Sequence, residues 1–281
     1  MPFFTASAGF GRDTIVLVNN LRKYGNPPFF VALVHGGPGA SGEMAPVARE
    51  LAKERGVLEP LQSEATLAGQ VEELSSVLKR HATTPAILVG YSYGAILSFL
   101  VAAKNPGLVK KLILVASAVF EDEYARGIMT ERRRRLPAED NARLDSLLAT
   151  LDDPASTESK NVVFGRIGAL LQKADAYDPL PNQDEILECR HDIHDSVWPE
   201  VSAMRASGEL LEYGKNIRCP VVAIHGDFDP HPAEGVRQPL SGVLRDFKFI
   251  LLEKCGHTPW IERWASDGFY RVLKLEIARA P

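Results

Sequence analysis

Gly90-Tyr91-Ser92-Tyr93-Gly94 stands between the aliphatic run Ala86-Ile87-Leu88-Val89 and a second apolar run, Ala95-Ile96-Leu97-Ser98-Phe99-Leu100. Two glycines around a serine leave room for a sharp turn from a buried strand into a buried helix. Such a turn pushes the serine hydroxyl out above the edge of a sheet. The helix that follows aims its N-terminal dipole at negative charge developing beside the serine. Residues 82–103 carry no charge, a stretch long enough to span a bilayer. The glycine pair in its middle reads better as a tight turn between two buried elements, so no membrane span is expected.

Working outward, short β-branched or aliphatic runs at residues 14–18, 29–34, 86–89, 112–115, 220–224 and 247–252 read as strands buried on both faces. Helical stripes lie between them. Leu67, Val71, Leu74 and Leu78 share one face, with Glu72, Glu73, Lys79 and Arg80 opposite. Met44, Val47, Ala48 and Leu51 form a second stripe, and Phe269, Val272, Leu273 and Ile277 a last one. Alternating strands and helices call for an α/β fold, a mostly parallel sheet covered on both faces, with ligands at the C-terminal edge of the strands. Residues 120–216 break the alternation. They are charged, carry helical stripes such as Val163, Phe164, Ile167, Leu170 and Leu171, and are punctuated by Pro154, Pro179, Pro181 and Pro199. A long non-core connection is rare. Residues 1–119 and 217–281 are therefore expected to form the core, and 120–216 a helical lid over the sheet edge.

Three further segments fall at expected strand ends. His35-Gly36-Gly37-Pro38-Gly39 follows the run 29–34. Glycines there let main chain approach a substrate, and the N–H groups of Gly37 and Tyr93 are the expected oxyanion donors. Asp227 and Asp229 follow Val221-Val222-Ala223-Ile224-His225-Gly226. His257 follows Phe249-Ile250-Leu251-Leu252 within Cys255-Gly256-His257-Thr258-Pro259-Trp260. A serine hydroxyl needs an imidazole to take its proton, and the imidazole needs a carboxylate to fix its tautomer. Ser92, then an aspartate, then His257 is the chain order expected for a triad on such a sheet.

Together these segments resemble the α/β-hydrolase family over residues 14–277. His35-Gly36-Gly37-Pro38-Gly39 is similar to the oxyanion segment of proline iminopeptidases and related hydrolases. Gly256-His257-Thr258-Pro259, with Glu262 after it, resembles the family's G-H-x-P-x-x-E histidine loop. The family's acid falls in a G-x-x-D segment, which selects Asp229 over Asp227. Two departures speak against peptidase activity. Iminopeptidases carry Trp after the nucleophile, where this chain has Tyr93. They also have a D-Q-R-G-x-G-x-S loop where it has Val57-Leu58-Glu59-Pro60-Leu61-Gln62.

Composition excludes other classes. The chain has 281 residues, 45% hydrophobic and 24% charged, with a net charge of −4, and so lacks the basic excess of a nucleic-acid binder. Cys189, Cys219 and Cys255 cannot all pair and have no metal-type spacing; with no signal peptide at Met1-Pro2-Phe3-Phe4, a reduced cytoplasmic setting is expected. His191-Asp192-Ile193-His194-Asp195 and Asp227-Phe228-Asp229-Pro230-His231 do not complete a metal shell. Arg132 to Arg135 read as a solvated helix face. His35 and His225 read as structural histidines.

The expected activity is hydrolysis of a small ester or amide through an acyl-enzyme, with Ser92 as nucleophile, His257 as base and Asp229 as orienting acid, and with no cofactor or metal. Trp198 and Trp260 are candidate substrate contacts, Leu210 and Leu211 further roof residues, and Glu188, Asp192 and Glu200 candidates for holding a substrate amine. The alternatives are an iminopeptidase-like aminopeptidase, a carbon–carbon bond hydrolase, and a ligand receptor that keeps the fold but turns over slowly. The partner is a small molecule, with neither nucleic acid nor membrane expected; oligomeric state is left open.

Overall fold

The computed structural model describes residues 15–18, 20–181 and 188–281. Thr14, expected to open the first strand, and Met1 to Phe4 lie outside the described residues. Among the described residues ten strands form: β1 (Ile15–Val18), β2 (Leu21–Tyr24), β3 (Phe29–Val34), β4 (Ala40–Ser41), β5 (Gly56–Pro60), β6 (Ala86–Tyr91), β7 (Val109–Val115), β8 (Glu188–Cys189), β9 (Val221–Gly226) and β10 (Phe247–Leu252). Eight of them make one sheet in the order β1-β2-β5-β3-β6-β7-β9-β10, and β4 pairs with β8 apart from it. From β5 to β10 the pairs are parallel; β1–β2 and β2–β5 are antiparallel.

The fully buried strands still obey a period of two, because their two faces meet different helices. Val31 and Leu33 join one cluster, Ala32 and Val34 the other. Helices α1 (Ala45–Ala52) and α11 (Ser266–Ala278) cover the first face; α2 (Leu67–His81) and α3 (Tyr93–Lys104) cover the second. Helix α3 buries every residue from Tyr93 to Ala103, so the uncharged stretch resolves into strand, turn and core helix. Among the described residues no helix is long and apolar enough to cross a membrane.

Strands β2 and β5 were not expected from the sequence. Both carry charge, and the charges meet across the pair. Arg22 lies opposite Glu59 in register, its Nε 2.9 Å from the Glu59 carboxylate, and Tyr24 donates to that carboxylate at 2.7 Å. Burial pushes the Glu59 carboxyl above its ordinary range while Arg22 opposes the shift.

Residues 120–216 hold α4 (Asp122–Ala125), α5 (Ile128–Arg135), α6 (Ala138–Asp152), α7 (Lys160–Asp175), α8 (His191–Ser207) and α9 (Glu209–Glu212); α10 (Glu234–Val243) follows β9. The segment packs in two ways. Leu136, Leu144, Leu147, Val163, Ile167, Leu170 and Ala174 form a small core of their own. Ile193, Val197 and Val201 of α8, with Leu210 of α9, insert instead into the main core against α2 and α3. Leu210, expected in the roof, is thus a core residue and Leu211 packs half-buried against that core, because α9 sits beside the sheet's helical layer and not over its edge.

Candidate active site

Ser92 occupies the turn between β6 and α3 with φ 52° and ψ −118°, a conformation that costs an L-residue energy and is held by its surroundings. The flanking glycines make the turn possible. A Cβ on Gly94 would collide with the carbonyl oxygens of Val34 and His35, and one on Gly90 with that of Gly94. Strand β6 lies between β3 and β7, so the loops after β3, β6 and β7 meet at one edge, where those after β9 and β10 also arrive.

Those loops bring Asp229 and His257 to Ser92. His257 Nε2 lies 3.0 Å from Ser92 Oγ, and His257 Nδ1–H donates to Asp229 Oδ2 at 2.7 Å. Asp229 is buried and takes two more hydrogen bonds at Oδ1, from the N–H (2.9 Å) and Nδ1–H (2.8 Å) of His231. His225 Nε2–H, 3.5 Å from Asp229, donates to the carbonyl of His231 at 2.8 Å. Burial alone would raise the Asp229 pKa, but the three histidines hold it well below the usual carboxylate range. Burial pulls His257 down, yet the charge and hydrogen bond of Asp229 leave it above the ordinary imidazole value. His231 stacks on His257 with ring centroids 4.5 Å apart, and burial lowers it to about 4. Asp227 takes a separate part: its Oδ1 accepts the Cys255 N–H at 3.1 Å.

The histidine loop is pinned by Glu262, fully buried, whose carboxylate accepts from the N–H groups of Gly256 (2.9 Å), Tyr177 (2.8 Å) and Asp178 (2.9 Å). His257 N–H donates to the Asp175 carbonyl at 2.9 Å. On the other side, Gly37 adopts φ +103°, open to glycine alone without strain. Glu43 accepts the Gly36 N–H at 3.1 Å. His35 donates Nδ1–H to the Gly36 carbonyl at 2.9 Å and accepts Gln62 N–H at Nε2, 3.1 Å away. Burial lowers His35 to about 4, so it stays neutral and holds this loop. Tyr93 opens α3, and its N–H therefore has no intrahelical acceptor.

A cavity of about 240 Å³ lies against Gly37, Tyr91, His257 and Thr258, with Phe164, Gly168 and Leu171 of α7 on its far wall. Ser92 is not itself part of that lining. The stripe on α7 is thus divided: Val163, Ile167 and Leu170 pack inward, while Phe164 and Leu171 face the cavity. Trp260 does not reach it. It packs behind Tyr91 (4.7 Å) and near Phe269 (6.1 Å), so its expected place on the pocket wall is not where the chain puts it. Trp198 meets the Tyr93 ring at 6.3 Å and lines a second cavity. Of the candidate amine acids, Asp192 is exposed and pairs with Arg190, Glu200 accepts the Leu67 N–H at 3.3 Å, and the Glu188 side chain lies outside what is described.

The arginine run is not a solvated face throughout. Arg133 and Arg134 face solvent, but Arg132 forms a two-pronged pair with Asp175 (2.8 and 2.6 Å) at the cavity wall. Arg135 donates to the Phe228 carbonyl at 2.6 Å. Sequence reasoning also missed His231 as a partner of Asp229; its only signal is a position two residues further on. Asp229, His231 and His257 lie close enough to suggest metal ligands, but both Nδ1 atoms are already in hydrogen-bond contact with the carboxylate.

A family model described as "Alpha/beta hydrolase family" matches residues 31–266. No curated protein matches the sequence. Among solved structures, VinJ superposes with a TM-score of 0.64 at 17% identity, over 96% of this chain and 99% of its own. A proline iminopeptidase from Mycobacterium smegmatis gives 0.60 at 17% identity, covering 95% and 98%. The 2-hydroxy-6-oxo-6-phenylhexa-2,4-dienoate hydrolase of Rhodococcus sp. strain RHA1 gives 0.59 at 18% identity, covering 95% and 100%. At such identities the likeness is one of fold.

Proposed function

This chain belongs to the alpha/beta hydrolase family, and from that premise we propose that it is a serine hydrolase cleaving a small ester or amide through an acyl-enzyme intermediate. Ser92 Oγ bonds to the carbonyl carbon while its proton passes to His257 Nε2 and the carbonyl π electrons move onto oxygen. The N–H groups of Gly37 and Tyr93 stabilise that oxyanion. Collapse breaks the bond to the leaving group, which takes the proton from His257. Water then attacks the acyl carbon, gives its proton to His257, and frees the acid and Ser92. Asp229 keeps the Nδ1 proton of His257 toward itself and so leaves Nε2 basic. The observation that carries this reading is the continuous contact from Ser92 Oγ to His257 to buried Asp229, at 3.0 and 2.7 Å.

Helices α5 to α7 act in this reading as a lid that excludes water and large substrates. An aminopeptidase would need a carboxylate for the substrate amine; of the two that line the cavity, Glu43 already accepts the Gly36 N–H and Asp175 holds Arg132, which argues for the ester or amide reading. Two measurements decide. A fluorophosphonate should label Ser92 alone, and Ser92→Ala should lower turnover on the order of 10⁶-fold; labelling elsewhere with Ser92 untouched would overturn the proposal. Turnover of a short p-nitrophenyl ester should exceed that of prolyl and alanyl anilides, and the reverse order would favour the aminopeptidase. Single-turnover kinetics on every ester would favour a receptor.

A further inference from the structure

The second cavity, of about 200 Å³, shares Arg132 with the first as a common wall. That is several times the ~30 Å³ a water occupies in the liquid, room for a short chain. Three residues tie it to the reacting groups. His231 lines it and stacks on His257; Trp198 lines it and meets the Tyr93 ring; Ala118 lines it and donates its N–H to the Ser92 carbonyl at 3.4 Å.

Into this cavity α8 brings Arg205, whose side chain is only 9% exposed. Its Nε is buried with no hydrogen-bond partner. The carboxylate it pairs with, that of Asp122, stands 3.7 Å away through Oδ1, has a side chain 40% exposed, and is engaged by Arg126 through its other oxygen, Oδ2, at 3.4 Å. The Trp198 ring, 6.0 Å from the guanidinium, adds only a weak cation–π contact. Burial lowers the Arg205 pKa from the usual guanidinium value, with Asp122 opposing. A guanidinium is effectively always charged, so the cation remains, and it is poorly neutralised. A buried charge of this kind is costly unless a ligand completes it.

The charge balance around the cavity selects the ligand. Arg132 is already neutralised by the two hydrogen bonds it donates to Asp175, and His231, lowered to about 4, is neutral near pH 7. One cation is left wanting, which matches a monoanion; a phosphate dianion would bring excess negative charge. A planar carboxylate also fits the guanidinium fork. The arm of the substrate follows from the chemistry proposed above. His257 gives its proton to the leaving group and lines the first cavity, so the leaving group belongs there and the acyl group in the second. Resting on the proposed acyl transfer, we propose that Arg205 binds a carboxylate at the far end of the acyl chain, making the preferred substrates half-esters of short dicarboxylic acids.

The experiment compares p-nitrophenyl hemiglutarate with p-nitrophenyl valerate, which has the same chain length without the charge. Wild-type enzyme should favour the hemiglutarate by at least about 10-fold in kcat/KM, and Arg205→Gln should lower that ratio by about 10- to 100-fold, the range of a charge-assisted hydrogen bond. Arg205→Lys, which keeps the charge and loses the fork, should fall between them and serves where the glutamine variant does not fold. A wild-type ratio of one or less, or a ratio unmoved by both substitutions, would overturn the inference. If neither ester turns over, the acyl-transfer proposal fails, and glutarate binding to Ser92→Ala by calorimetry reads the cavity alone. Binding weakened at least about 10-fold by Arg205→Gln would then uphold the anion site; no binding would sink it.

Discussion

Replacing Asp229 by asparagine removes one buried negative charge and substitutes an amide with one acceptor and one donor end. Which end faces which histidine follows from the hydrogen bonds. Oδ1 of Asp229 serves two donors of His231, at 2.9 and 2.8 Å, whereas Oδ2 serves the single Nδ1–H of His257 at 2.7 Å. An asparagine oxygen turned toward His231 satisfies two donors; turned toward His257 it satisfies one and sets its NH₂ against two N–H groups. The first orientation wins. It points NH₂ at His257 Nδ1, which must then accept, moving the ring proton to Nε2. Such a ring cannot take a proton from Ser92, and a loss of about 10⁴ in kcat is expected, close to 5.5 kcal/mol at 1.36 kcal/mol per decade. The pH profile moves as well. Activity needs neutral His257, so it is lost as pH falls through a pKa that Asp229 holds above 6.5. With that charge gone, burial dominates and the acid limb shifts to lower pH. Steady-state kcat/KM of a p-nitrophenyl ester between pH 4 and 9 reads both effects. A loss under ~10-fold, an acid limb moved upward, or a larger loss in Asp227→Asn would refute the reasoning. Asp227→Asn weakens one half-buried hydrogen bond, from the Cys255 N–H, and should cost stability, about 1 kcal/mol, more than turnover.

Two further outcomes follow from the same loops. In ¹⁵N-resolved titrations His231 should protonate near pH 4 and His257 above 6.5, since burial outweighs Asp229 at the first and Asp229 outweighs burial at the second; the opposite order would show the charges misassigned. Glu262→Ala removes the acceptor of three N–H groups, of which that of Gly256 is buried, and should cost about 2 kcal/mol or more in urea unfolding, while Glu262→Gln, which keeps the oxygen serving Gly256 and Tyr177, should cost markedly less; equal losses would mean that the hydrogen bonds are not what holds the loop.

Legibility in the sequence tracked how local each determinant was. Strands β6 and β9, the end of β3 and residues 112–115 of β7 are buried on both faces, so each announces itself as an apolar run whatever it pairs with; Lys110 and Lys111 hid the start of β7. The turn at Ser92 is equally local, because the two glycines that permit it are neighbours in the chain. Strands β2 and β5 were hidden for the opposite reason. Leu21-Arg22-Lys23-Tyr24 and Gly56-Val57-Leu58-Glu59-Pro60 look polar singly, and only the register that sets Arg22 against Glu59 makes their burial tolerable. A cross-strand partner cannot be read from either strand alone.

The same division separates the chemistry of the site from its specificity. Ser92, Asp229 and His257 follow the ends of β6, β9 and β10, which lie in the parallel part of one sheet, and parallel strands deliver their ends to a common edge, so three positions distant in sequence meet there. Arg132, Arg205 and the cavity face of α7 come from residues 120–216, where no repeating sheet geometry fixes which helix face turns inward. Four consecutive arginines on α5 illustrate the difficulty. Helical spacing sends two of them to solvent and two inward, to Asp175 and to the Phe228 carbonyl, and nothing in the run itself distinguishes them. On the proposed reading, the core therefore carries a reaction legible from motif order, while substrate choice is written in side chains whose partners lie on other elements. Residues acting on substrate choice are accordingly to be sought on α5, α7 and α8, and those acting on proton transfer at the strand ends.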